Sequence, residues 1–507
     1  MSPAGGTLGT FTDDPVRSET PAGPQQKDHF MRRALTGLAS LAALTIAAIP
    51  AAQAAGPQIG VNIVLSTDLT PRVERELRAF GTINETYPEI DALTMKIAAA
   101  DLADVQALPF VKAANEDVQF VGKPVAPSPF TSTVDGIATW NTDQIDVYDQ
   151  GSPDVREVPQ TGEGVYVAVL DTGLHSSWPQ YFGTEAVAAD LGVAFGGGGG
   201  EKGSISSQPN KWSTDQNGHG THVTSSILGY NLGGVPVAGV APEATVIPVK
   251  VLNQNGSGWS SMVAAGIDYI TDLKVSGALG DSPVVINMSL GGPAPDALTE
   301  AAVARAVAND VLIVASAGNS GEAGMGYPGA YEDVISVAAS GWTGQWTSGS
   351  WWNTGDVADP TSAEDAYIAD FSSRALAGQD LDIAAPGSWV VGPYQLNSQL
   401  SYYFLSGTSM ASPHVAGAVA LMLEANPGLT QGEAEAALEA TAVPLGAGSR
   451  QVPDPTGATT TVTWGADATG AGLMDVPAAI GAVTGADVAE ETAATTTGRD
   501  SAPGRNR

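Results

Sequence analysis

Val165-Tyr166-Val167-Ala168-Val169-Leu170-Asp171-Thr172-Gly173 decides the fold class. A strand covered on both faces shows no polar alternation, only a near-continuous apolar run, and residues 165–170 are such a run. Further runs of this kind stand at residues 245–252, 284–288, 311–315 and 334–338. Between them, helical candidates fall at 262–273, 297–308, 413–425 and 432–440. Apolar strands alternating with helices predict an α/β architecture, a doubly wound parallel sheet with helices on both faces. In such sheets ligands bind beyond the carboxyl ends of the strands. Asp171 stands at such an end, where it reads either as a site carboxylate or as a turn residue.

Other chemistry-bearing segments fall at the same edge. Ser289-Leu290-Gly291-Gly292 and Ala317-Gly318-Asn319-Ser320-Gly321 each follow a strand, and Asn255-Gly256-Ser257-Gly258 follows another in a tight loop. Asn217-Gly218-His219-Gly220-Thr221-His222 opens a helix with an imidazole between glycines. Gly407-Thr408-Ser409-Met410-Ala411-Ser412-Pro413-His414 leads small residues into an apolar helix, with Pro413 expected in its first turns. Ser409 at that junction reads as a helix N-cap or as a nucleophile, and a serine nucleophile needs a base and an orienting carboxylate.

Composition bounds the rest. The chain has 507 residues, 43% of them hydrophobic, enough for a large core and more than one folded unit. Acidic residues number 54 against 21 basic ones, a formal net charge of −33, which disfavours nucleic acid and anionic membranes as partners. There is no cysteine, hence no disulfide, no thiolate catalysis and no cysteine-ligated metal.

Along the chain, residues 1–30 are polar and read as an extension that need not belong to the native protein. Met31-Arg32-Arg33, an apolar small-residue run over 34–49 and Ala52-Gln53-Ala54 describe a secretory signal peptide over 31–54. Its export would make the protein secreted and extracellular, with no membrane contact once the signal is removed. Residues 57–122 carry strands at 61–65, 82–87, 92–97 and 110–113 and helices at 70–80 and 101–108, the β-α-β-β-α-β order of a small ferredoxin-like α+β unit. Pro124, Pro127 and Pro129 then interrupt the pattern as a linker would. The expected units are 55–130, a small unit with its linker, 131–485, the main domain, and 486–507, an acidic Thr-rich tail. Polar insertions at 195–211 and 341–369 break the main pattern, the second holding Trp342, Trp346, Trp351 and Trp352.

Asp171-Thr172-Gly173, His219-Gly220-Thr221-His222, Ser289-Leu290-Gly291-Gly292, Ala317-Gly318-Asn319 and Gly407-Thr408-Ser409-Met410-Ala411-Ser412-Pro413-His414, in this order, resemble the signature blocks of the subtilisin-like serine proteases, the subtilases of peptidase S8. The resemblance covers about residues 140–483. It implies a serine endopeptidase with Asp171 orienting the imidazole, His219 as base and acid, Ser409 as nucleophile and Asn319 as oxyanion donor. Extended peptide and protein substrates would pair with Gly256-Ser257-Gly258 and Ser289-Leu290-Gly291 by strand addition. The first pocket would be walled by Leu290-Gly291 and Ser316-Ala317-Gly318 with Gly326 at its base, or be filled by Met325. No acid in these segments favours a basic partner, so large apolar residues are expected before the cut. His222 and His414 are expected to pack rather than react, and Ser406, Ser412 and Ser320 to cap or fill loops. Residues 57–122 resemble the inhibitor-type propeptide of that family, which implies a self-processed zymogen whose propeptide is both intramolecular chaperone and inhibitor.

No metal ligand is assigned and no cofactor is required. The family's strong calcium loop would fall near 231–237, where Gly and Pro replace side-chain oxygen ligands. Asp380 and Asp382, with carbonyls near Gly329 and Tyr331, resemble a weaker site for calcium or another cation. Val223-Thr224-Ser225 departs from the family's usual Val-Ala-Gly. An α/β-hydrolase esterase would order its triad Ser…Asp…His and place glycine where Ala411 stands. A non-catalytic relative would lack a triad member.

Overall fold

The structure is a computed structural model and describes residues 57–130, 138–149, 156–197, 203–347, 352–353, 355–358 and 363–485, with the backbone alone for 125–130. The segments read as an extension, a signal peptide and a tail lie outside the described residues.

The first unit comprises β1 (Gln58–Leu65), α1 (Pro71–Leu77), β2 (Gly81–Tyr87), β3 (Ala92–Ala98), α2 (Leu102–Gln106) and β4 (Val111–Glu116). Its antiparallel sheet has the order β2-β3-β1-β4. The alternation along β1 sorts its two faces. Val61, Ile63 and Leu65 join Val73, Leu77 and Val105 in a core of their own, while Asn62 and Val64 point the other way and are buried against the main domain.

The chain continues through β5 (Gln119–Val121), β6 (Val125–Phe130), α3 (Trp140–Asp143), β7 (Tyr166–Asp171), α4 (Trp178–Phe182), β8 (Val193–Gly196) and β9 (Ser206–Gln208). Then come α5 (His219–Leu228), the hairpin β10 (Gly229–Leu232) and β11 (Val235–Ala238), β12 (Thr245–Lys250), β13 (Ser257–Trp259), α6 (Ser260–Val275), β14 (Val284–Met288), α7 (Ala297–Val307) and β15 (Val311–Ser316). The last part holds β16 (Ile335–Trp342), β17 (Ala366–Ile368), β18 (Ile383–Pro386), β19 (Val390–Leu396), β20 (Gln399–Ser406), α8 (Thr408–Ala425), α9 (Gln431–Thr441), β21 (Gly448–Pro453), β22 (Thr459–Trp464) and α10 (Val476–Thr484).

The main sheet runs β17-β16-β15-β14-β7-β12-β8-β9, with β18 beside β16, and is parallel except at β9 and β17. Successive residues of β7 face opposite layers. Val167 and Val169 pack with Val223 and Ile227 of α5 and with α8, whereas Ala168 and Leu170 pack with Val263 and Ile267 of α6 and Val303 of α7. This is the doubly wound architecture expected. The insertion at 195–211 contributes the edge strand β9, and in the insertion at 341–369 Trp342 and Trp352 are buried in the core.

Where the first unit meets the main domain, it caps two helices. The α6 N-cap residue, Trp259, offers no side-chain acceptor. Asp117 supplies one: Ser261 N donates to Oδ1 (2.9 Å), Ser261 Oγ to Oδ2 (2.6 Å) and Ser260 Oγ to Oδ1 (2.9 Å). At α7, Ala297 N donates to Asn115 Oδ1 (3.0 Å), while Asn115 and Asn62 both donate to Asp296 Oδ2. A carboxylate at a helix N-terminus meets unpaired N–H groups and the positive end of the dipole. Replacing Asp117 by Ala leaves these buried donors unpaired, so the full-length Ser409→Ala chain with Asp117→Ala should lose about 1–3 kcal/mol in urea-induced unfolding. An unchanged midpoint would contradict the capping account.

Candidate active site

Asp171 ends β7 and is fully buried. Its backbone carbonyl accepts from Val251 N (2.9 Å) and Leu252 N (3.1 Å), which fixes the strand end against the turn after β12. His219 is the first residue of α5, and its Nδ1 lies 2.9 Å from both Oδ1 and Oδ2 of Asp171. Thr172 N also donates to Oδ1 (2.6 Å). The two glycines flanking His219 serve this contact. Gly218 has φ 93°, and Gly220 brings α5 so close to β7 that a Cβ would stand 2.4 Å from Gly173 O. Asp215 braces the turn before the helix, accepting from Asn217 N and Gly218 N at 2.9 Å and from Thr221 Oγ1 at 3.1 Å. Burial pushes its carboxyl above the usual range. Lys250 donates to Thr172 O, and burial lowers its ammonium pKa. Sequence reasoning singled out neither Asp215 nor Lys250, although both flank the predicted blocks.

Ser409 is the second residue of α8, which begins at Thr408 rather than near Pro413. Pro413 stands inside this helix and has no N–H to give the carbonyl four residues before it, that of Ser409. Ser289 Oγ donates to that carbonyl instead (2.8 Å), is itself reached by Asn287 Nδ2 (3.1 Å), and Ser412 Oγ closes the chain on Asn287 Oδ1 (2.7 Å). The end of β14 thus holds the start of α8, and Ser412, expected in a cap or loop, is part of that tie. The helix-breaking residue was the available signal, since its orphaned carbonyl requires a partner.

Ser409 Oγ donates to Ser289 O (3.2 Å), while His219 Nε2 is buried without a hydrogen-bond partner. Asn319 lines the cavity beside Ser409. Its Oδ1 accepts from Thr408 N (2.9 Å) and Thr408 Oγ1 (3.0 Å), which orients the amide and leaves Nδ2 as its outward donor. A cavity of about 380 Å³ opens beside Ser409, lined by Leu290, Gly291, Ser316, Gly318, Asn319 and Gly326 among others. Met325 lines it without filling it, and no lining residue is acidic.

Residues 119–123 lie along this groove. β5 pairs antiparallel with β13, Ser257 opposite Val121 and Gly258 opposite Phe120. On the other side Val121 and Gly291 exchange both backbone hydrogen bonds (2.9 and 3.1 Å), and Gly122 N donates to Gly256 O (3.0 Å). Phe120 is fully buried against Gly292. At Gly122 a Cβ would meet Leu252 Cδ1 at 2.7 Å, Ser289 O at 3.0 Å and His219 Cε1 at 3.3 Å, so this position admits only a small residue. Lys123 borders the cavity beside Ser409, but its exposed side chain leans over Gly256 instead of entering.

His222 Nε2 contacts Val390 O, and His414 lies between Asn141 (2.9 Å) and Met410 O (2.7 Å). Both are fully buried, which lowers their pKa to about 3 and about 4, so both are neutral in the folded protein. The segment 231–237, where the resemblance places a strong calcium loop, folds into the β10–β11 hairpin. Asn231 Oδ1 takes Gly234 N (2.6 Å), Asn231 O takes Tyr402 Oη (2.9 Å), and Tyr230 stacks on Tyr402 at 5.8 Å. Both Asn231 oxygens are thus taken by protein donors. Asp382 Oδ2 accepts from Ser336 N (2.6 Å) and groups with Glu435 and Glu439 of α9, while Asp380 is exposed. Burial first, and then the neighbouring carboxylates, raise Asp382 to about 6 and Glu435 to about 7.

These shifts have opposite consequences. An acid raised in the folded state favours folding while protonated, and that contribution is lost as pH rises from about 4 to about 7. Glu435→Gln should therefore raise the unfolding temperature at pH 8 and leave it nearly unchanged at pH 4. The histidines work the other way, since the unfolded chain takes up protons first below about pH 6.5. Equal shifts at both pH values, followed by scanning calorimetry, would contradict the assignment.

A family model described as the subtilase family, peptidase S8, matches residues 162–472. A thermostable alkaline protease of Halalkalibacterium halodurans is 32% identical over 410 residues, 81% of this chain and 93% of that protein. Subtilisin Savinase of Lederbergia lenta is 37% identical over 287 residues, 56% of this chain and 86% of that protein. Among solved structures, fervidolysin from Fervidobacterium pennivorans is alike in fold, with a TM-score of 0.57 at 22% identity over 83% of this chain and 61% of that one.

Proposed function

Since the chain belongs to the subtilase family and is a serine-type endopeptidase, we propose that Asp171, His219 and Ser409 are its triad and Asn319 its oxyanion donor. The observation that carries this is the fully buried Asp171–His219 pair with its Nε2 unpartnered, beside Gly122, which also lies against the Ser289 carbonyl that Ser409 Oγ bonds. Rotation about the Ser409 Cα–Cβ bond moves Oγ from Ser289 O towards His219 Nε2. That nitrogen takes the proton as Oγ attacks the peptide carbonyl, and Asp171 stabilises the imidazolium. The oxyanion receives Asn319 Nδ2 and the Ser409 N–H at the N-terminus of α8. His219 then protonates the leaving amine, and water repeats the sequence on the acyl-enzyme.

The substrate lies as an extended strand between Gly256-Ser257-Gly258 and Ser289-Leu290-Gly291, as residues 119–123 do. The uncharged cavity under Gly318 and Gly326 takes a large apolar side chain before the cut, and the position preceding it takes glycine or alanine. In this reading residues 55–130 are a propeptide with its linker, and the protein is secreted behind the signal at 31–54 as a zymogen. The pairing of Val121 with Gly291 and of Gly122 with Gly256 supports a first cut inside the 121–133 segment, at Lys123–Pro124. The unit ending at Lys123 remains as a product-like inhibitor, and its caps on α6 and α7 speed folding of a domain whose parallel pairings are non-local. No helix among the described residues is long and apolar enough to cross a membrane.

Ser409→Ala, His219→Ala and Asp171→Ala should each lower kcat on a chromogenic peptide by roughly 10⁴-fold or more, with double variants no worse than the worse of their two singles, the pattern and scale known from subtilisin. Asn319→Ala should cost about 10²–10³-fold in kcat, a figure that also comes from subtilisin. The Ser409→Ala chain should keep its full mass, whereas the unmodified chain should yield a new N-terminus at Pro124. Cleavage of the purified Ser409→Ala chain within 121–133, or retained peptidase activity, would refute the assignment. A library showing selection for Lys or Arg immediately before the cut would refute the pocket reading.

A further inference from the structure

Past the proposed cut, the chain does not leave the groove. β6 lies antiparallel on β20, with Val125 opposite Ser406, Ser128 opposite Phe404, Pro129 opposite Tyr403 and Phe130 opposite Tyr402. A shift of register falls between Phe404 and Ser406. β20 pairs with β19 on its other edge and runs into Gly407-Thr408-Ser409. The strand that delivers the nucleophile therefore carries, on its outer edge, the chain that follows the bond to be cut.

Edge strands are commonly guarded against pairing by charge or proline. β20, Gln-Leu-Ser-Tyr-Tyr-Phe-Leu-Ser, has neither. Its side chains are anchored instead. Tyr402 is stacked on Tyr230 and bonded to Asn231 O, Tyr403 Oη donates to Gln399 O, and Phe404 meets Trp346 edge-on at 4.8 Å. The backbone donors and acceptors of its outer edge are thus held ready, which lowers the ordering cost of a partner strand. β6 suits that edge and no other. Pro127 and Pro129, two residues apart, put both missing N–H groups on one side of the strand, so it pairs on its opposite side only and ends the sheet.

We propose that the outer edge of β20 is an extended subsite for the substrate segment on the C-terminal side of the scissile bond, holding up to the seven residues matched by 124–130 in antiparallel strand addition. Residues 125–130 are its occupant in the uncut precursor. The inference rests on the peptidase reading above, with the Lys123–Pro124 bond presented to Ser409. It makes extended, unfolded polypeptide the favoured substrate class, because a folded loop turns away within a few residues of the bond.

The test uses the processed enzyme and internally quenched peptides that share Phe-Val-Gly-Phe before the bond and carry two, four or seven residues after it. The value of kcat/KM should rise at least about tenfold from two to seven residues. In the seven-residue peptide, N-methylation of alternate amides should remove the gain in one phase and leave it in the other, as expected of a strand paired along one edge. If kcat/KM is the same at all lengths while the short peptide is still cleaved in a Ser409-dependent way, the subsite is overturned and the peptidase reading stands. If none of the peptides is cleaved, both fall.

Discussion

The structure depends on a carboxylate buried against an imidazole. Asp171 is buried at the end of the central strand, where an unpaired charge would be costly. It is tolerable because Thr172 N and His219 Nδ1 are already in place. That requirement sets much of the local backbone. β7 must stop at residue 171, and α5 must start within reach, which needs the turn at Gly218 and the close approach at Gly220. Asn217 Oδ1 and Thr172 Oγ1 then take the His219 and Gly220 N–H groups that the helix start leaves open, while Asp215 holds the turn before it. The apolar runs of the sheet supply the rigid frame on which this geometry is held, and its two faces are closed by α5 with α8 and by α6 with α7.

The same sheet end supplies the second constraint, a groove with unpaired backbone on both sides of Ser409. The chain's own 119–130 segment uses all of it: β13 and Gly291 before the cut and β20 after it. The first unit is anchored by apolar packing through Val64 and by polar contacts on the starts of α6 and α7, buried at Asn62 and Asp117 and half-buried at Asn115. Such contacts are specific because each leaves an unsatisfied donor when removed.

Much of this was legible in the residues. The run 284–288 matches β14 because a fully buried strand is mostly apolar, and the βαββαβ unit followed from periodicity, though its first helix, read as 70–80, is Pro71–Leu77 with Thr70 as cap. Asp171, His219, Ser409 and Asn319 were singled out from their blocks, and the structure pairs Asp171 with His219 and sets Asn319 beside Ser409 at the cavity. The misses were long-range. Pro413 was read as a helix start, yet α8 begins at Thr408 because Ser289, far away in sequence, satisfies the carbonyl the proline abandons. The proline-spaced 124–130 stretch was read as a linker, though its spacing also fits an edge strand. The β19–β20 hairpin and the helix-capping role of Asp117 went unread, since a single polar residue does not reveal which distant helix it will meet. Trp342 and Trp352 gave no sign in a polar insertion that they would be core.

The central claim is that Ser409 is the nucleophile and that His219, held by Asp171, activates it. The most direct measurement is peptide mapping by mass spectrometry of the processed enzyme after reaction with a fluorophosphonate. The account predicts one adduct per chain, on Ser409, and loss of its rapid formation in His219→Ala. An adduct on another serine, or full casein hydrolysis by enzyme that carries none, would contradict it.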